Sequence, residues 1–179
     1  MSRVGFIGTG HIAAPMARAL ARDGHQVMVS NRNAQVAATL VESEPGINIG
    51  ENQAVIDASE IVFLCLRPAV WADVLTGLRW RAQQRVVSVM AGVPLARIAE
   101  MCAPATEISA TIPFGFIEQG GCPLPVVGDP SVLQALFGAT NPVLPQKDEA
   151  ALISHFAASA LPSGVLHMLE VASDWLATQ

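Results

Sequence analysis

The residues whose types and spacing suggest a binding chemistry lie near the start of the chain, where Gly8, Gly10 and Ala13 form a G-x-G-x-x-A pattern. They follow the apolar run 3–7, which is typical of a short buried strand, and they precede an alanine-rich stretch typical of a helix. Glycines at such a junction permit a tight turn and a close approach of the backbone to a ligand. Free N–H groups and the positive end of the helix dipole would then face an anion. Because Gly24 and a second apolar run complete a βαβ unit, the pattern predicts a site for the pyrophosphate of a dinucleotide.

The end of the second predicted strand carries Ser30, Asn31 and Arg32, about 20 residues after the glycines. An NAD-binding fold usually places an acidic residue there to hold the ribose hydroxyl groups, and that residue would repel a 2′-phosphate. A hydroxyl and a guanidinium would instead bind the phosphate, the guanidinium through charge-assisted hydrogen bonds. We therefore expect Ser30 and Arg32 to select NADP over NAD; the alternative is that Arg32 is a solvated loop residue.

Strand and helix patterns alternate over residues 1–146 and predict an α/β fold with a doubly wound, Rossmann-type, mostly parallel sheet. We expect strands at 3–7, 25–30, 46–49, 61–66, 86–90, 107–112, within 120–127 and at 141–144, and helices at 13–21, 33–41, 52–59, 69–78, 94–101 and 130–137. Residues 147–179 show no strand pattern, and helices are expected there at 149–160 and 165–176, with an interruption at Pro162. This second part either packs on the first domain or begins a helical domain.

The composition restricts the classes of function. Of the 179 residues, 51% are hydrophobic and 14% are charged, and the net charge is -5. Few charges suit a large core or a surface covered in an oligomer, and the acidic balance argues against a nucleic-acid or anionic-membrane partner. We expect no transmembrane helix and no signal peptide. The three cysteines lack metal-binding spacing, so we expect no metal site and a cytoplasmic location.

Several segments together resemble the pyrroline-5-carboxylate reductase family, and the first hundred residues carry the resemblance best. Residues 4–13, V-G-F-I-G-T-G-H-I-A, are similar to the family's opening G-F-I-G-x-G-x-M-A, and residues 64–68, L-C-L-R-P, are similar to L-A-V-K-P. Residues 88–93, S-V-M-A-G-V, resemble S-x-x-A-G-V, and Asn52 matches an Asn that precedes a short helix. The motifs and the resemblance together imply that these residues contact NADP: Ile7, Gly8, Thr9, Gly10, His11, Ile12, Ser30, Asn31, Arg32, Asn52, Cys65, Leu66, Arg67, Pro68, Ala91 and Gly92.

Members of that family join the Rossmann domain to a helical domain that forms the dimer and completes the substrate site. The resemblance therefore implies hydride transfer from NADPH to a small imine in proline biosynthesis, and a homodimer formed through the C-terminal helices. The sequence departs from the family at Phe114, where the family has Asn, and at residues 158–162, which keep the Pro of S-G-S-G-P and lose both glycines. Two other functions stay open: an NADP oxidoreductase acting on a carbonyl compound or a deazaflavin, and a non-catalytic NADP-binding or dimerisation module.

We expect no single catalytic residue for an imine substrate, because an imine is readily protonated in water and the cofactor supplies the hydride. A carbonyl substrate would need a proton donor, and the candidates near the strand ends are His11, Ser109, Thr111 and Ser163. Three of them have a structural alternative. His11 could be a residue at the start of the helix that is exposed to the pyrophosphate, and Ser109 and Thr111 could be ordinary strand residues. Residues 118–119 lie in a loop that could reach the site.

Overall fold

One eight-stranded sheet forms the centre of the protein. The computed structural model describes residues 1–31, 33–158 and 161–178. The strands are β1 (Arg3–Ile7), β2 (Gln26–Ser30), β3 (Ile47–Gly50), β4 (Ile61–Leu64), β5 (Arg85–Ser88), β6 (Glu107–Thr111), β7 (Leu124–Val127) and β8 (Val143–Pro145). They lie in the order β3-β2-β1-β4-β5-β6-β7-β8, and neighbouring strands are parallel except at the antiparallel pair β6–β7.

Helices cover both faces of this sheet, as expected for a doubly wound α/β fold. They are α1 (Ala13–Arg22), α2 (Ala34–Ser43), α3 (Asn52–Ala58), α4 (Trp71–Leu75), α5 (Leu95–Met101), α6 (Ser131–Phe137), α7 (Glu149–Ala158) and α8 (Leu161–Ala177). Residues of α1, α2 and α6 pack on one face around the stacked rings of Phe6 and Phe63. Residues of α3, α4 and α5 pack on the other face around Val62 and Val86. The predicted fold class is confirmed.

The structure differs from the expected boundaries at some elements. Helix α4 is shorter than the predicted 69–78, because it begins only after Val70 and ends before Gly77, which adopts a positive φ of 79°. Asn33 caps α2, since its side chain accepts a hydrogen bond from the Val36 N–H. The helix expected to begin at residue 165 begins at Leu161, because Pro162 lies in its first turn, where a proline is tolerated.

The last two helices differ in their contacts with the sheet. Helix α7 packs against β7, with Leu152 buried, and its Glu149 carboxylate accepts a hydrogen bond of 2.8 Å from the Leu95 N–H. Helix α8 is exposed over the positions that the structure describes, including the large apolar side chains of Leu166, Met168 and Trp175. Within the described ranges, no helix is long and apolar enough to span a bilayer.

Candidate dinucleotide-binding site

The turn between β1 and α1 uses its two glycines in different ways. Gly8 has a φ of 96°, and a Cβ there would collide with the backbone carbonyl of Cys65, so this position needs glycine for the fold itself. Gly10 has no positive φ, and a Cβ there would meet no atom within 4 Å. The space beside Gly10 is therefore open for a ligand that approaches the backbone closely.

Ser30 at the end of β2 holds this turn in place. Its side-chain oxygen accepts a hydrogen bond of 2.8 Å from the Gly8 N–H, and its carbonyl accepts one of 2.7 Å from the Thr9 hydroxyl. Ser30 is fully buried. In this structure the hydroxyl lies beneath the turn, where it satisfies a backbone donor, and a contact of Ser30 with the 2′-phosphate stays a prediction.

The first turn of α1 presents unpaired backbone donors to the open space. The Ala14 N–H bonds to the Gly10 carbonyl at 2.9 Å, but for the N–H groups of His11, Ile12 and Ala13 we find no acceptor among the described residues. Ile12, at the N-cap position, makes no side-chain capping bond, and the first turn contains no acidic residue. Such a terminus attracts an anion through its donors and its dipole.

A cleft of ≈ 700 Å³ opens over this helix terminus at the carboxyl ends of β1, β4 and β5. Gly8, Cys65 and Val89 each follow the last paired residue of one of these strands by one position. All three line the cleft at this edge of the sheet. The full lining is Gly8, Thr9, Gly10, His11, Ile12, Ala13, Ala14, Asn33, Val36, Cys65, Leu66, Arg67 and Val89. The position agrees with the rule that ligands of doubly wound sheets bind at the carboxyl ends of the strands.

The structure brings half of the predicted contact residues to this cleft, and most of the others lie away from its lining. Outside the lining are Ile7, Ser30, Asn31, Asn52, Pro68, Ala91 and Gly92. Ile7 is fully buried and packs on the opposite face of the sheet. Asn31 is exposed, and its amide donates a hydrogen bond to the Glu51 carboxylate. Arg32 lies outside the described residues.

Sequence reasoning missed part of the lining. The sequence patterns place Val89 in a strand and Asn33 at the start of a helix, and they assign neither to the cleft. The strand register could have identified Val89, because it follows β5 by one residue, as Cys65 follows β4. Ala13 and Ala14, buried in α1, border the cleft, and so does Val36.

The candidate proton donors lie in different environments. His11 is exposed at the cleft. Ser109 and Thr111 are buried residues of strand β6. The Thr111 hydroxyl has no hydrogen-bond partner among the described residues, and the register of β6 with β5 places Thr111 beside Val89. Burial raises the pKa of the Cys65 thiol, so this cleft residue is neutral near pH 7. The side chain of Ser163, with Ser159 and Ala160, lies outside the described part of the chain.

The loop after β6 runs beside α1 and does not direct its acidic residue at the cleft. The rings of Phe114 and Phe116 stack with centroids 5.4 Å apart. Glu118, in a 3-10 turn that follows, binds Arg18 of α1 through two hydrogen bonds of 2.6 and 2.8 Å. Hydrogen bonding from Arg18, with its positive charge, holds the pKa of the Glu118 carboxyl below its usual value. Glu118 therefore serves to anchor the loop.

No group of three or more His, Cys, Asp or Glu side chains is placed to hold a metal ion within the described residues. The site is a largely apolar cleft with a helix terminus at its floor and no acidic side chain in its described lining. Arg67 contributes a cationic side chain to its rim.

The fold and the turn define a dinucleotide-binding protein of the doubly wound class, and the family comparison is more specific. The chain belongs to the family described as NADP oxidoreductase, coenzyme F420-dependent, which matches residues 3–92. A curated relative is the pyrroline-5-carboxylate reductase of Corynebacterium melassecola, which is 25% identical over 121 residues. That match covers 63% of this chain and 45% of the relative, so the chain spans less than half of that protein's length.

Solved structures show the same fold. The 1-pyrroline-5-carboxylate reductase of Streptococcus pyogenes superposes with a TM-score of 0.80 at 18% identity, covering 95% of this chain and 68% of that one. The reductive aminase of Aspergillus terreus, in complex with NADPH4, cyclohexanone and allyl amine, gives a TM-score of 0.76 at 19% identity. That match covers 93% of this chain and 62% of the aminase.

Proposed function

We propose that this chain is an NADP-dependent reductase whose cleft binds NADPH. The observation that carries the proposal is the open space at Gly10 above the unpaired N–H groups of His11, Ile12 and Ala13. These donors and the dipole of α1 fit a pyrophosphate, and the absence of an acidic residue from the first turn of α1 removes a source of repulsion. The description of the family as NADP oxidoreductases supports the choice of cofactor.

Residues on the two sides of the turn would hold the two halves of the cofactor. The ends of β4 and β5, with Cys65, Leu66, Arg67 and Val89, would hold the nicotinamide half. The end of β2 would hold the adenosine half, where we propose that Asn31 and Arg32 contact the 2′-phosphate. The predicted contacts at Asn52, Pro68, Ala91 and Gly92 stay proposals, although these residues do not line the cleft.

We propose a small imine as the substrate. NADPH, when bound, supplies the hydride for reduction of such a carbon–nitrogen double bond. The chain contributes an uncharged thiol beside it, because burial raises the pKa of Cys65 and keeps it protonated. The bulk solvent would protonate the basic imine nitrogen. The likeness to a pyrroline-5-carboxylate reductase and to a reductive aminase supports this class and a place in proline biosynthesis.

A second candidate is a deazaflavin as the partner in hydride transfer, which the description of the family as coenzyme F420-dependent favours. An assay of NADPH oxidation with 1-pyrroline-5-carboxylate, a panel of uncharged cyclic imines and a deazaflavin would separate the candidates. Turnover of imines supports the first proposal, turnover of the deazaflavin alone supports the second, and tight NADPH binding without turnover supports a non-catalytic binding module.

We also propose that residues 147–179 form a dimer contact and that residues 1–146 form the cofactor domain. The exposed apolar side chains of α8, among them Leu166, Leu169 and Trp175, support a partner surface. A second copy of this chain would cover them by pairing the helices. Sedimentation of the wild type and of a Leu166→Glu/Leu169→Glu double variant tests this: the wild type should be a dimer and the variant a monomer with unchanged NADPH affinity.

Calorimetric titration tests the cofactor proposal directly. NADPH should bind the wild type more tightly than NADH, and Arg32→Ala should weaken NADPH much more than NADH. Arg97→Ala is a matched control, because Arg97 is an exposed residue of α5 that pairs only with Glu100 among the described residues. Equal weakening of both dinucleotides by Arg32→Ala would contradict the 2′-phosphate role, and a wild type that binds neither would contradict the cofactor proposal.

A further inference from the structure

The end of β3 lies directly beside the end of β2 and brings an acidic residue to the same edge. Ser30 pairs with Gly50 in the parallel register, and the Asn31 N–H bonds to the Gly50 carbonyl at 3.1 Å. Glu51, the next residue, accepts a hydrogen bond from the Asn31 side-chain amide. The carboxylate of Glu51 therefore contacts the residue that begins the β2–α2 loop, although 20 positions separate the two in the sequence.

The carboxylate of Glu51 is not neutralised by a cation within the described residues. No ion pair to it is present there, in contrast to Glu44, Glu60 and Glu118, each of which pairs with an arginine. Glu51 is also exposed, so its charge faces the solvent next to the β2 end. In a doubly wound fold this edge is where the adenosine ribose of a dinucleotide binds.

We propose that Glu51 is a specificity-determining residue that limits the preference for NADPH over NADH. This inference rests on the proposed function, because it assumes that the adenosine half lies at the β2 end. A carboxylate at this edge repels a 2′-phosphate, which carries close to two negative charges, and it accepts hydrogen bonds from ribose hydroxyls. It also takes up one N–H of the Asn31 amide, which leaves that side chain with fewer donors for a phosphate.

The test compares Glu51→Gln with the wild type in titrations against NADPH and NADH at low and at high salt. Glutamine keeps an oxygen that can accept the bond from Asn31, so the substitution removes the charge alone. We expect the ratio of NADPH to NADH affinity to rise about threefold to tenfold at low salt, the scale on which two exposed charges a few ångströms apart interact through water. The gain should shrink as salt screens the repulsion.

Glu60→Gln is the matched control, because it removes the same charge at the opposite edge of the sheet, before β4, where Glu60 pairs with Arg3. Its affinity ratio should equal that of the wild type. An unchanged or lower ratio for Glu51→Gln, with thermal melts that match the wild type, would overturn the inference while the cofactor proposal stands. If the wild type binds neither dinucleotide, both are overturned together.

Discussion

The two glycines of the β1–α1 turn should respond in opposite ways to an added side chain. At Gly10 a side chain meets no protein atom within 4 Å, so Gly10→Val should leave the melting temperature close to that of the wild type. The added carbons would occupy the space through which a phosphate reaches the N–H groups of α1. Each charge-assisted hydrogen bond contributes about 1.5–3 kcal/mol, so losing one or two should weaken NADPH about 10- to 100-fold or more.

Gly8→Ala is the counterpart that affects the fold. A non-glycine residue at a φ of 96° is strained by about 1–2 kcal/mol, and the collision of its Cβ with the Cys65 carbonyl adds about 1–3 kcal/mol of overpacking. Together these costs should lower the melting temperature by roughly 5–15 °C. Calorimetric melts and NADPH titrations of both variants make the comparison.

The refuting result is specific to each position. If Gly10→Val binds NADPH as tightly as the wild type, the pyrophosphate does not lie on this turn and the proposed site is wrong. If Gly8→Ala melts like the wild type, the turn can relax away from Cys65, and its geometry does not require glycine.

Three further variants test other parts of the structure. Ser30→Ala leaves the buried Gly8 N–H without its acceptor. It should lower the free energy of unfolding by about 1–3 kcal/mol in urea denaturation and weaken the binding of NADPH and NADH equally. A selective loss of NADPH binding would instead indicate that Ser30 contacts the 2′-phosphate. Thr111→Val removes a buried hydroxyl that has no partner in the part of the chain that the structure describes, and it should raise the stability by up to about 1 kcal/mol. A fall in turnover would show instead that the hydroxyl contacts the substrate or cofactor. Glu118→Gln should cost about 1–2 kcal/mol near pH 7. Arg18 lowers the pKa of Glu118 from 4.5, so the difference in stability between the wild type and Glu118→Gln should be complete above about pH 4.5. The difference should vanish as the pH falls through the lowered pKa of Glu118 in the folded protein. A stability difference that persists in acid would contradict the ion pair.

Local sequence was sufficient for the inner strands and for the position of the glycine turn between β1 and α1. The continuous apolar run that becomes β4, Ile61–Leu64, is what a parallel strand buried on both faces requires. The glycine spacing then located the turn, since only a few backbone geometries connect such a strand to a helix. These features depend on residues that are close in the chain.

The direction of β7 was not predicted, although a signal for it exists. The connection from Thr111 to Leu124 contains only a short 3-10 turn, Ile117–Gln119, and no crossover helix. A parallel return normally needs such a helix, so the chain returns antiparallel beside β6.

The roles of Ser30 and Glu51 could not be derived from local patterns. Ser30 meets the Gly8 N–H across 22 positions, and Glu51 meets Asn31 across 20, so both contacts exist only because three strands align in register. A serine at a strand end has the same local sequence signal whether its hydroxyl faces a ligand or a neighbouring backbone amide. The strand register decides between these two orientations.

Helix α1 contacts the loop after β6 at two points along its length. Near its start, Gly115 lies beside the His11 carbonyl, where an added Cβ would make an ordinary van der Waals contact at 3.6 Å, and two turns further on Arg18 binds Glu118. The N-terminal end of α1 and the loop that carries Phe114 and Phe116 are therefore held together. The distance between an anion on the turn and a group against that wall is set by this helix, so a residue inserted into α1 between His11 and Arg18 would shift one relative to the other.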